Sequence, residues 1–460
     1  MVAPPPPALL PLGICPTSLR RLVSLAAPVV GLNVLTVLSL AVDTAMLGRL
    51  PDAATALTGM GFAAQIVFLL MTAVIGLTVG SVAFVARAHG TGEHDRVTVL
   101  VGQACLLAVG LGLVAAVVGN VLAQPLLVGL GAGPADLDAG LAYLRPMLAG
   151  ASLNYLGIML GAVLRGVGNT RLAFGVAVAA NAVNFIANYT LILGNFGFPA
   201  LGIQGAAFGT LISQAVTCVL LVGFVGTGRV HGINLPRRWP GVHFAPDLAR
   251  VGWPAALDML ILNAGFLTII GLLGRIDPLA VAAHGIGIRI QALAFVPGMA
   301  ISQATGALVG QSLGRADVDE AWRILRSSVA LCFVVMTTLG ILIMLGRTSI
   351  LMLFDVQPGT ELGDYAEQWI LLLGTCMPFV GAYIACVGTF QGSGATRTSL
   401  RINAAATLLA QIPLSWFLGI TLGLGTFGVW VAFPLSFVVK LIWGGIEVRR
   451  GAWATVGARV

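Results

Sequence analysis

Apolar residues in this chain come in long unbroken runs, with polar residues confined to the gaps between them. A bilayer core about 30 Å thick takes about 20 apolar residues as helix. Runs of that length, separated by polar or Pro/Gly breaks, predict twelve spans. They lie near 20–48, 54–88, 96–123, 136–164, 171–194, 203–226, 246–274, 279–313, 320–346, 363–390, 398–420 and 426–448. Spans longer than the hydrocarbon is thick must tilt or protrude. The pattern predicts an all-α membrane protein.

The runs repeat. "MLGRLPDAATALTGMG" (46–61) resembles "LLGRIDPLAVAAHGIG" (272–287) at an offset of 226. "LRGVGNTR" (164–171) resembles "FQGSGATR" (390–397), and Pro28 maps onto Pro254, at the same offset. The chain therefore reads as two six-helix halves. Six is even, so both insert the same way and are related by an axis along the membrane normal. The expected domains are a disordered N-terminal tail 1–19, a first lobe 20–226, a cytoplasmic linker 227–246, a second lobe 247–448 and a cytoplasmic tail 449–460. A cleft between two such lobes is where a transporter would hold its cargo.

Composition agrees. The 460 residues are 58% hydrophobic and 9% charged, against about 25% charged in soluble domains. The net charge of +7 could suggest nucleic acid, but its distribution points elsewhere. With the N-terminus cytoplasmic, inside loops take 19 of the 24 basic residues, Lys440 among them. Outside loops take 3 (Arg49, Arg275, Arg347), and Arg145 and Arg289 fall within spans. That is the positive-inside bias, with both termini inside. Six scattered cysteines form no CxxC or Cys/His cluster and read as packing residues. No HExxH or clustered His/Asp set appears in the spans, which argues against an enzyme.

The chemistry lies in the few polar residues inside the spans. Asp43 is in span 1 and Asp258 in span 7; the offset maps them onto Ile269 and Leu32, so neither acid repeats. An Asp at a helix centre in hydrocarbon costs about 2.5–3.5 kcal/mol on insertion scales, and such residues usually have a function. Asn184 and Asn188 in span 5 are four apart and share a helical face. Their partners at 226 are Ala410 and Leu414, so this polar face is expected in the first half only. Thr210 in span 6 could add a hydroxyl. Together Asp43, Asn184, Asn188 and Thr210 would form an oxygen-rich pocket for a proton or a hard cation. Asn33, Gln65, Asn154, Asp258 and Met259 are candidates for the substrate cavity. Pro28 and Pro254 each remove a helical hydrogen bond and are candidate kinks.

In these residues the chain resembles the multidrug and toxic compound extrusion family. The resemblance is carried by Pro28 followed by "VDTAMLGRL" (42–50), "ARAHGTGEHD" (86–95), "LRGVGNTR", "NFIANYTLILGNFGFPALGIQGAAFGT" (184–210) and "LVGQSLGRADVDEA" (308–321). The fifteen-residue step from Pro28 to Asp43 looks most like its DNA-damage-inducible-protein branch. The resemblance implies twelve helices in two lobes around a V-shaped cleft. It implies a plasma (inner) membrane antiporter that exports cationic or amphipathic drugs in exchange for H⁺ or Na⁺. By it Asp43 is the coupling acid, and Asn184 and Thr210 belong to the cation pocket, where Na⁺ would bind with Asp43. Asn188 stands where many members carry Asp. The expected partners are a small organic cation or drug and membrane lipid. A monomer is expected, with no nucleic acid and no cofactor beyond the coupling ion. The alternative, a lipid or lipid-linked oligosaccharide flippase of a related two-lobe fold, would need a more basic cavity than Arg145 and Arg289 provide.

Overall fold

Hydrocarbon offers a peptide group no hydrogen-bond partner, so a spanning chain must satisfy its backbone internally, as a helix does. The computed structural model describes residues 15–228, 230, 233, 241 and 243–455. Among them are helices and short connections but no strand. The first half holds α1 (Pro16–Leu47), α2 (Ala53–Thr91), α3 (His94–Gly129), α4 (Pro134–Ala149), α5 (Ala151–Gly166), α6 (Thr170–Leu191) and α7 (Ile203–Gly226). The second holds α8 (Ala245–Leu273), α9 (Pro278–Gly314), α10 (Val318–Leu345), α11 (Arg347–Met352), α12 (Glu361–Ser393), α13 (Thr396–Ala404), α14 (Ile412–Trp416), α15 (Gly425–Arg450) and α16 (Ala452–Thr455).

Eleven described spans are single helices long and apolar enough to cross a membrane, counting Thr396–Thr421 as one, and a bent pair makes the twelfth. That pair is α4 and α5, which meet at 58°. The bend falls at Gly150, four residues after Pro146, whose ring nitrogen cannot donate. A Cβ at Gly150 would collide with Leu211 of α7, so the bend keeps room for that helix. The eleventh span is also irregular. α13 passes through a π-helical stretch, Ala405–Gln411, into α14, and a second one follows at Phe417–Thr421.

Some expected boundaries move. Helix starts at Pro16, so the last residues of the expected 1–19 tail are ordered in α1; 1–14 lie outside the described residues. Most of the linker and 456–460 also lie outside them. Helix continues past 448 through α15 and α16. Lys440, expected in an inside loop, sits within α15 and is 1% exposed. Eighteen inside basic residues against three still carry the orientation bias.

The chain divides into two compact units, and the division does not fall at the linker. One unit is Gly31–Ala256; the other takes the chain up to Val30 and from Leu257 onward. Both boundaries lie two residues beyond a repeat-related proline, Pro28 or Pro254, inside helices that run on unbroken. In the Gly31–Ala256 unit, the start of α8 packs on α2. A Cβ on Gly80 or Gly76 would meet the carbonyl of Leu248 or Gly252 at 2.5 Å. In the other unit, Leu22 and Ala26 of α1 are buried with Leu308, Ile370, Phe390 and Trp453.

At the centre of the latter unit, α12 carries a glycine stripe. Gly374 faces Gly340 and Met344, Gly381 faces Cys332 and Met336, and Gly388 faces Ser302. Gly392 lies directly on the Gly306 backbone of α9. Small residues let helices approach closely and gain dispersion contacts, which matters where lipid removes the hydrophobic drive between helices.

Two outcomes are expected. Gly392→Val overpacks the α9–α12 contact and destabilises the fold by about 1–3 kcal/mol, read as a lower midpoint in thermal unfolding of purified protein. In a cysteine-free background, Glu93→Cys is labelled only from the cytoplasmic side and Phe198→Cys only from outside; the reverse pattern would invert every helix.

Candidate functional site

Asp43 lies in the last turn of α1, four residues before that helix ends at Leu47. Beyond it, Met46 and Leu47 pack with Met60 of α2, Ile192 and Ala206, with Tyr143 of α4 against them. This apolar cluster closes the helix end over the acid. Asp43 is half-buried and forms no ion pair with Arg49 among the described residues. Its Oδ1 accepts a hydrogen bond from Asn188 Nδ2 at 2.5 Å. The same amide nitrogen donates to Asn184 Oδ1 at 3.3 Å, which also accepts from Ser39 Oγ at 3.0 Å.

The i, i+4 spacing on α6 brings both amides to one face, as the sequence predicts. Asn188 is fully buried and Asn184 is 5% exposed. Asn188 Oδ1 has no partner among the described residues. It lies against Gly209 of α7, where any Cβ would strike it. The first-half unit thus holds a carboxylate–amide chain in which one buried acceptor, Asn188 Oδ1, has no partner among the described residues. Ser39, one turn before Asp43, is a member that the sequence reading missed.

The other candidates divide. Thr210 is not in the chain of hydrogen bonds: its hydroxyl donates to the Ala206 carbonyl of its own helix at 3.0 Å. Asn154 is buried with Nδ2 3.9 Å from Met71 Sδ, while Gln65 is exposed and Asn33 half-buried. In the other unit, Met259 is half-buried and Asp258 is 5% exposed. Asp258 Oδ2 accepts from Ser399 Oγ at 3.0 Å and Asn403 Nδ2 at 2.9 Å. Asp258 is therefore tied into a polar network of its own.

The expectation that the polar face of span 5 is confined to the first half needs correcting. A π turn contains one more residue than an α turn, so the stretch Ala405–Gln411 moves the repeat offset from 226 to 227 beyond it. Asn184 and Asn188 then correspond to Gln411 and Ser415, both buried and polar. Gln411 and Ile269, the counterpart of Asp43, line one cavity with His284, Trp369 and Trp430. The second half keeps the polar face and lacks the acid.

The sequence signature of the MatE family matches residues 28–190 and again 254–417. The chain is 26% identical over 438 residues to the probable multidrug resistance protein NorM of Thermotoga maritima, covering 94% of this chain and 93% of that one. It is 28% identical over 426 residues to the FAD transporter of Shewanella oneidensis, covering 91% of each. Among solved structures, the crystal structure of MATE in the bent conformation superposes with a TM-score of 0.86 at 21% identity, over 95% of this chain and 98% of that one.

The packing of Asn188 on Gly209 yields a prediction. Gly209→Val displaces the Asn188 amide and removes its bond to Asp43 without substituting either residue. A hydrogen bond to a charged group is worth about 1.5–3 kcal/mol, so transport of a cationic dye by reconstituted protein should fall roughly tenfold or more at equal protein level. Unchanged transport would separate the Asp43–Asn188 bond from function.

Proposed function

The chain belongs to the MatE family, and from that membership we propose that it is a secondary antiporter, exporting cationic or amphipathic organic compounds in exchange for a cation held at Asp43. The observation that carries this reading is the Asp43–Asn188–Asn184 chain, an acid placed on a buried amide pair within an apolar helix bundle. The names of the relatives, multidrug resistance proteins among them, support the cargo class.

The coupling ion is H⁺ in this reading. Asn188 turns an N–H toward Asp43, so one carboxylate oxygen is already bonded to a donor. A proton needs only the other oxygen. A hard cation would need several oxygens, and the Thr210 hydroxyl is turned to its own helix. Protonation of Asp43 changes the charge of the site. The first-half bundle then favours one arrangement with the acid charged and another with it neutral. Export is driven by the proton gradient and by about 2.3 kcal/mol per charge per 100 mV of membrane potential. The site faces outward and inward in alternation, in a plasma membrane with both chain termini cytoplasmic.

Asp43→Asn nearly keeps the shape and removes the charge. It should abolish dye efflux from proteoliposomes driven by an imposed pH gradient, while the protein still inserts and folds. Wild-type efflux by this variant would reduce Asp43 to a structural residue. Asn188→Asp adds a second carboxylate and should make efflux depend on Na⁺ at fixed pH. Tight, saturable Na⁺ stimulation of the wild type would overturn the proton assignment.

A further inference from the structure

The Asp–Asn pairing occurs twice, at different repeat positions along the helices. Asp43 bonds Asn188 and Asp258 bonds Asn403, each pair 145 residues apart. One turn before each asparagine stands a second polar partner, Asn184 or Ser399. The two sets differ by 215 positions (258−43, 403−188 and 399−184), whereas the scaffold repeats at 226. The second centre is therefore 11 residues, about 16 Å of helix, nearer the N-terminal ends of both its helices.

The second centre also has something the first lacks. Lys440 is the single lysine among 24 basic residues, and it is 1% exposed. Its ammonium lies 4.6 Å from the centroid of the Phe437 ring. That ring meets Tyr383 edge-on at 6.2 Å, and Tyr383 donates to Asn403 Oδ1 at 2.7 Å. Gly444, one turn beyond Lys440, faces the same tyrosine ring. Lys440 thus points to the side of α15 that meets the Asp258 network, and ammonium and carboxylate face one network without a direct ion pair between them among the described residues. Asp258 Oδ1 is buried with no hydrogen-bond partner among the described residues. The other titratable groups turned to this centre are Tyr383, Cys376 and Cys386 of α12; Arg397 and Arg401 of α13 are exposed.

We propose that Lys440 is a tethered counter-charge for the Asp258–Asn403 centre, standing in for the cation that Asp43 takes from solution. The second centre then carries its own counter-charge and exchanges no ion, so one cation moves per cycle, through Asp43. Only that last step rests on the function proposed above. A buried charge left without its partner is strongly unfavourable in a protein interior, so removing Lys440 should make Asp258 take up a proton.

The single lysine makes this measurable without transport. In protein labelled with ¹⁵N-lysine, one Nζ resonance reports Lys440 alone. At neutral pH it should be that of an ammonium, and Asp258→Asn should shift it. Infrared difference spectra supply the other side. Lys440→Gln should gain a protonated carboxyl band that Asp258→Asn/Lys440→Gln lacks, and wild type should show no such band from Asp258. An Nζ signal indifferent to Asp258→Asn, or an Asp258 carboxyl band already in wild type, overturns the proposal. Should Lys440→Gln fail to fold, the resonance still decides. If Asp43→Asn leaves efflux intact while these spectra come out as expected, the coupling reading fails and the tethered cation stands.

Discussion

Inside a bilayer a polar atom must find its partner within the protein, and this constraint shapes both halves of the chain. The backbone meets it by staying helical. The few polar side chains meet it by clustering, so that Asp43 finds Asn188 and Asp258 finds Ser399 and Asn403. In these two clusters the oxygens left over, Asn188 Oδ1 and Asp258 Oδ1, are places where the constraint is not met by the described residues. An unsatisfied buried group is costly, which makes each an expected point of contact for something that comes and goes or for a charge nearby.

Glycine and proline do the complementary work. Glycines on α12 bring its neighbours within backbone contact, and Gly209 leaves the space that Asn188 fills. Prolines mark the places where the two compact units part. Neither residue type carries chemistry, yet the position of the chemistry depends on both.

Much of this was legible in the sequence. Long apolar runs give the spans, a shared offset gives the two halves, and a lone acid with an i, i+4 amide pair gives the first site. Besides Ser39, four features were hidden. Thr210 has the right residue type in the right span, but a hydroxyl can bond its own helix, and composition cannot distinguish the two uses. Lys440 is near a span end, where basic residues usually face water, so a count of loop charges absorbs it. Gln411 and Ser415 escaped because a fixed offset cannot see one extra residue in a helical turn. Ser399 and Asn403 lie in the first turns of the expected span 398–420, where polar residues near a span end draw no notice.

The division of the units inside α1 and α8 has a consequence for how the chain is made. Leu22 and Ala26 leave the ribosome long before Trp453, yet they are buried with it. The first turns of α1 must therefore wait for the helices up to α16 before their buried face is covered. The Gly31–Ala256 unit, in turn, is incomplete until the first turns of α8 arrive. Contacts this distant in sequence form slowly, so the two halves cannot finish folding strictly one after the other.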